Sequence, residues 1–102
     1  MELSSKQRRE LKGQGMTMAD DVRLGKSGLS EGFLQNMEQL FARKELVKLK
    51  FTELEGDARK DLAVQVAQAT RSTLVSVAGK SMLLYRANPD MPARQRALKS
   101  AD

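Results

Sequence analysis

The sequence predicts an α/β two-layer sandwich in which a four-stranded mixed sheet carries helices on one face. Two observations lead there. Stretches with apolar residues at helical spacing alternate with short runs of period-2 alternation, in the order helix, strand, helix, strand, helix, strand, strand. Each strand-helix-strand step implies a right-handed crossover that returns the chain to the same sheet face. With 102 residues, 40% hydrophobic and 30% charged, the chain can bury one core and is too short for two independent units.

Ser4 followed three residues later by Gln7 is a capping-box pattern, and good helix formers run from Lys6 to Lys12 until Gly13 and Gly15 punctuate them. A polar, glycine-bearing loop follows. Val22 and Leu24 flank Arg23 as a short strand would, ending at Gly25. Ser30 can cap a second helix whose apolar stripe is Phe33, Leu34, Met37, Leu40 and Phe41. From Leu46 to Phe51, Val47, Leu49 and Phe51 alternate with Lys48 and Lys50, so the two lysines share one wet face. Asp57 is the expected cap of a third helix with a small-residue face of Leu62, Ala63, Val66, Ala67 and Ala69.

Leu74–Ala78 and Ser81–Tyr85 read as a hairpin joined at Gly79-Lys80. Parity leaves open whether Val75, Val77, Leu83 and Tyr85 or Ser76, Met82, Leu84 and Arg86 face the helices. Past Arg86, Asn88-Pro89 and Met91-Pro92 break regular structure. The expected division is a domain over 1–88 and a basic, mobile tail over 89–102.

Composition excludes most catalysis. The chain has no Cys and no His, which removes disulfides, thiolate and imidazole metal ligands, Cys nucleophiles and the Ser-His dyad. No catalytic residue, metal site or cofactor is expected. Eighteen Lys and Arg against thirteen Asp and Glu give a net charge of +5, which favours an anionic partner. The N-terminus lacks an apolar signal core and no stretch approaches roughly 18 apolar residues, so the expectation is a cytoplasmic chain away from membranes.

Leu24-Gly25-Lys26-Ser27-Gly28-Leu29-Ser30 is the segment most like a working site. Flanking glycines let backbone approach an anion, the following helix offers first-turn N–H groups, and Lys26 adds a charge. Gly25-Lys26-Ser27 copies the end of a nucleotide-binding P-loop, but Asp20 stands where its first glycine belongs and would repel phosphates. A G-x-x-G loop that clamps a nucleic-acid backbone, as in KH-type binders, is the other reading, beside a purely structural turn. Lys6, Arg8, Arg9 and Lys12 make the first helix locally basic against Glu2 and Glu10. Glu53, Glu55, Asp57 and Asp61 cluster at a helix start, where acids complement the dipole without any catalytic role. Phe33, Phe41 and Phe51 fall in core stripes and Tyr85 is the single Tyr, so no stacking platform is expected.

Four segments in order, Leu3–Arg9, Leu24–Glu31, Glu45–Lys50 and Val75–Arg86, together resemble the CRM domain, specifically its single-domain bacterial YhbY-type members. The resemblance implies an RNA-binding domain with a fold like the C-terminal domain of translation initiation factor three. It further implies a cytoplasmic, ribosome-associated monomer acting on ribosomal RNA in precursors of the large subunit. It carries the family's loop onto Gly25, Lys26, Ser27 and Gly28, its basic helix onto Lys6, Arg8 and Arg9, and its last-strand signature onto Leu84, Tyr85 and Arg86. With Lys12 and Arg23 from the charge pattern, these give the expected RNA contacts: Lys6, Arg8, Arg9, Lys12, Arg23, Gly25, Lys26, Ser27, Gly28 and Arg86. No small-molecule substrate is expected. The alternatives are a general RNA chaperone or translation factor without an assembly role, and a basic adaptor for an acidic protein.

Overall fold

The computed structural model describes residues 2–25, 28–52 and 57–99. The chain runs α1 (Ser5–Thr17), β1 (Val22–Leu24), α2 (Glu31–Arg43), β2 (Leu46–Phe51), α3 (Asp57–Ala69), β3 (Thr73–Ala78) and β4 (Ser81–Tyr85). A turn of 3-10 helix at Ala93–Gln95 follows. The expected α/β order is therefore observed.

The sheet has the order β1-β2-β4-β3, with β1 parallel to β2 and β4 antiparallel to both neighbours. β4 takes an interior place because Met82, Leu83, Leu84 and Tyr85 are all buried, and a strand apolar on both faces needs cover on both. Met82 and Leu84 join Val47, Leu49 and Phe51 of β2 in a core with Met37, Leu40 and Phe41 of α2 and Ala63, Val66 and Ala67 of α3. Leu83 and Tyr85 point the other way, into a second cluster with Leu11 of α1, Leu46 and Val75.

The second cluster corrects the expectation of helices on one face. α2 and α3 share a face, whereas α1 lies on the opposite one. Helix periodicity shows only that Leu11 must be buried, not on which side. The register of β3 also departs from simple alternation, because a bulge between Leu74 and Ser76 lets Val75 join the α1 side while Leu74 and Val77 pack on the α2/α3 side. Neither of the two sets read from parity holds along the whole of β3.

α1 starts as the sequence predicts, with Gln7 N–H donating to Ser4 Oγ and Ser4 N–H donating to Gln7 Oε1, both at 3.0 Å. It continues through both glycines. Gly15 is buried against the sheet, where a Cβ would run into the Leu83 side chain, so the missing side chain lets the last turn of the helix touch β4. Lys48 Nζ then donates to Gly15 O and Met18 O at 3.0 Å each, satisfying carbonyls at the helix end. The face of β2 that the two lysines share is thus partly covered at Lys48.

α3 buries Ala63, Val66 and Ala67 as expected, but Ala69 is exposed and Thr70 is buried instead. Thr70 Oγ1 donates back to Val66 O at 2.8 Å, and Arg71 (φ 55°) closes the helix as Ser72 N–H donates to Ala67 O. The cap expected of Asp57 lies outside what is described.

Of the tail expected over 89–102, residues 89–99 are described, and they pack on the domain. Met91 and Ala97 are buried, and Ala97 packs in the α1-side cluster beside Tyr85. Glu45, only 2% exposed, accepts the Asn88 N–H at 2.6 Å and the Ala97 N–H at 2.8 Å. Gln14 Nε2 donates to Ala97 O, and the Lys99 N–H reaches Glu10. Proline breaks stop a helix here, but the segment finds its partners through backbone amides, which composition does not reveal.

Candidate functional site

β1 delivers the glycine loop at one edge of the sheet. Leu24 O accepts both the Thr52 N–H (3.1 Å) and Thr52 Oγ1 (3.2 Å), which pins the end of the strand. Gly28 sits at φ 59°, in the left-handed region that favours glycine, and its N–H donates to Gly25 O at 3.1 Å. Ser30 Oγ then accepts the Phe33 N–H at 3.1 Å and starts α2. Between the β1 edge and the first turn of α2 lies a groove of about 350 Å³ bordered by Arg23, Gly25, Gly28, Gly32 and Asn36. A Cβ on Gly32 or Gly28 would meet no atom within 4 Å, so backbone there is open to an approaching ligand. Lys26 and Ser27 lie outside the described residues.

The basic helix occupies the other edge. Arg8 Nη1 donates to Leu74 O at 2.9 Å and Val75 O at 2.6 Å, at the β3 bulge, where the ladder leaves carbonyls in need of donors. The turn carrying Lys6, Arg8 and Arg9 therefore docks on β3, while the glycine loop follows β1. Three strand spacings of about 4.8 Å separate those edges. The start of α1 and the glycine loop thus stand at opposite edges of the sheet rather than side by side. Lys6, Arg9, Lys12 and Arg23 are exposed, and their side chains make no hydrogen bond or ion pair among the described residues.

Arg86 is engaged at the surface by Glu38 of α2. Its guanidinium forks onto Glu38, also donates to Thr70 O at 3.1 Å, and lies 5.4 Å from the centre of the Phe41 ring. The hydrogen bond from Arg86 holds the Glu38 carboxyl below its ordinary range.

The sequence profile of the CRS1 / YhbY (CRM) domain matches residues 3–86. The chain belongs to the CRM domain family. A Pseudomonas aeruginosa protein named "Probable RNA-binding protein" is 34% identical over 89 residues, covering 87% of this chain and 86% of that protein. A Haemophilus influenzae protein named "RNA-binding protein" is 31% identical over 84 residues, covering 82% of this chain and 85% of that one. The solution structure of a Staphylococcus aureus protein has a TM-score of 0.77 and 29% identity, covering 87% of this chain and 93% of that one.

Within this CRM domain, sequence reasoning passed over Lys50. It is the registered partner of Arg23, so both side chains leave the same sheet face at neighbouring strands. The alternation over 46–51 already placed Lys50 on that face; its pairing with β1 was the missing step. No helix among the described residues is long and apolar enough to cross a membrane.

Proposed function

We propose that this CRM domain is a non-enzymatic RNA-binding module that holds ribosomal RNA in precursors of the large ribosomal subunit, as a cytoplasmic, ribosome-associated monomer. The observation that carries the reading is the open groove at the glycine loop. Gly28 holds the turn and Ser30 orients the first turn of α2 beside that concavity. Backbone donors at a helix start suit phosphate oxygens, and the net charge of +5 suits their number. Lys26 and Ser27, which follow Gly25 in the sequence, are the further contacts that the family resemblance offers. The names of the relatives support the RNA partner, and the family resemblance supports the ribosomal setting.

Tracking the protein through a sucrose gradient tests the reading. Co-sedimentation with immature large-subunit particles, lost on RNase treatment, is the expected result. Crosslinking to many cellular RNAs without enrichment on any ribosomal particle would instead mark a general RNA chaperone. Retention of a protein partner after RNase would mark an adaptor.

A further inference from the structure

α1 leaves part of its sheet face open: Ala78 is exposed, and Ser76, Ser81 and Lys50 are half-buried. The helix crosses from β3, where Arg8 docks, to β2, where Lys48 holds Gly15 O and Met18 O. Along its open flank runs a trough of about 210 Å³ bounded by Lys12, Met16, Ser76, Ala78, Ser81 and Leu83. Met16 is 84% exposed at its rim. The trough continues sideways as a registered row across the sheet, Ala78, Ser81, Lys50 and Arg23. Lys12, Lys50 and Arg23 have no hydrogen-bond or ion-pair partner among the described residues. Two acids stand nearby among the described residues: Asp20, whose carboxylate accepts from Ser81 Oγ at 3.4 Å, and Asp21, which is already engaged by Lys44 Nζ and the Lys48 N–H.

We propose that this trough is a second RNA contact that takes one unpaired nucleotide, its base lodged against Met16 and Leu83 and its flanking phosphates on Lys12, Lys50 and Arg23. The inference rests on the RNA-binding reading and adds a surface to it. The floor is apolar and the free cations stand at the rim, which matches a flat base between two charged phosphates. An acidic peptide would need cations where the floor has Ala78 and Leu83. The volume falls below the roughly 300–1,000 Å³ of ordinary small-molecule pockets, so it admits one base and little more. The polarizable Met16 thioether is a good neighbour for an aromatic ring. Bases within a duplex are stacked and paired, so the trough selects single-stranded RNA. Arg23 belongs to the strand that leads into Gly25, so one RNA strand crossing the β1 edge can touch the loop groove and the trough together.

Methyl-labelled methionine NMR and fluorescence anisotropy with a 12-nucleotide oligouridylate test this on the full chain. The Met16 methyl signal should move on RNA addition while that of buried Met37 stays in place, and a duplex of equal length should leave Met16 unmoved. Arg23→Ala/Lys50→Ala should weaken binding about tenfold or more near 0.1 M salt and lower the log-log salt slope by about 1.4, as expected for two lost single-strand phosphate contacts. Arg43→Ala/Lys60→Ala removes equal charge from the other helical layer and should do far less. An unmoved Met16 methyl, or undiminished affinity in the Arg23/Lys50 variant while wild type binds, would overturn the trough and leave the loop reading standing. Polyglutamate moving Met16 as the RNA does would assign the trough to acidic peptides instead. No anisotropy change with wild type at any RNA concentration would remove the RNA reading itself.

Discussion

Arg86 grips Glu38 with both arms of its guanidinium, Nη1 to Oε1 at 2.8 Å and Nη2 to Oε2 at 2.9 Å. The pair ties the end of β4 to the outer face of α2 and sits over the Phe41 ring. A residue that the family pattern offered as an RNA contact thus also makes a contact within the fold. Arg86→Ala should destabilise the domain by about 1.5–3 kcal/mol, the range for hydrogen bonds to charged groups, whereas Glu38→Gln should cost less than about 1 kcal/mol because Glu38 is half exposed. Urea unfolding of both variants checks the difference.

The same pair has a pH consequence. Glu38 is lowered from its ordinary value of 4.5, chiefly by the Arg86 hydrogen bond, so its folded form holds the proton less tightly than its unfolded form. The stabilisation is full above about 4.5 and is lost as pH falls through the depressed folded value. Glu38→Gln should therefore flatten the acid limb of stability against pH, and an unaltered limb would show that the pair contributes nothing to it.

The Glu45 carboxylate holds the C-terminal segment through the amides of Asn88 and Ala97. Truncation after Asn88 exposes the α1-side cluster around Tyr85 and strips Glu45 of one amide. The midpoint of thermal unfolding should drop by more than about 4–8 °C, the scale of 1 kcal/mol for a domain this size. Glu45→Ala should fall in the same direction in calorimetry, by about 1–3 kcal/mol, from the buried amides it leaves without an acceptor.

Two glycines of one helix should respond oppositely. At Gly13 an added Cβ meets no atom within 4 Å, so Gly13→Ala should stabilise by up to about 1 kcal/mol through helix propensity. At Gly15 the Cβ would run into Leu83, and Gly15→Ala should destabilise by about 1–3 kcal/mol. Equal effects at the two sites would show that α1 does not sit against β4 as described.

Arg8 and Arg9 should likewise separate. Arg8→Ala strips the Leu74 and Val75 carbonyls of their donor and should cost about 1–3 kcal/mol, while Arg9→Ala should stay within about 0.5 kcal/mol. In RNA titrations, Arg9→Ala and Lys12→Ala should reduce affinity with the fold intact. Loss of stability in Arg9→Ala would contradict its placement on the open surface.

Local pattern determined most of the element list. Capping at Ser4 and Ser30, the alternation over 46–51 and the apolar stripe of α2 are properties of neighbouring residues, and the covalent geometry of helix and strand turns them directly into structure. The glycine loop was legible for the same reason: Gly28 needs only its own backbone to adopt φ 59°. What the tertiary structure alone decided is which surfaces meet. Periodicity is blind to the side of a sheet on which a helix lands, so α1 facing away from α2 and α3 could not be read from Leu11. The bulge at Val75 exchanges faces within β3, and it created the carbonyls that Arg8 now occupies. Arg86 and Glu38, 48 residues apart, paired only when β4 came to lie beside α2. A charge is free or committed according to contacts of this range, and that is why Arg23 and Lys50 stand open while Arg8 and Arg86 do not.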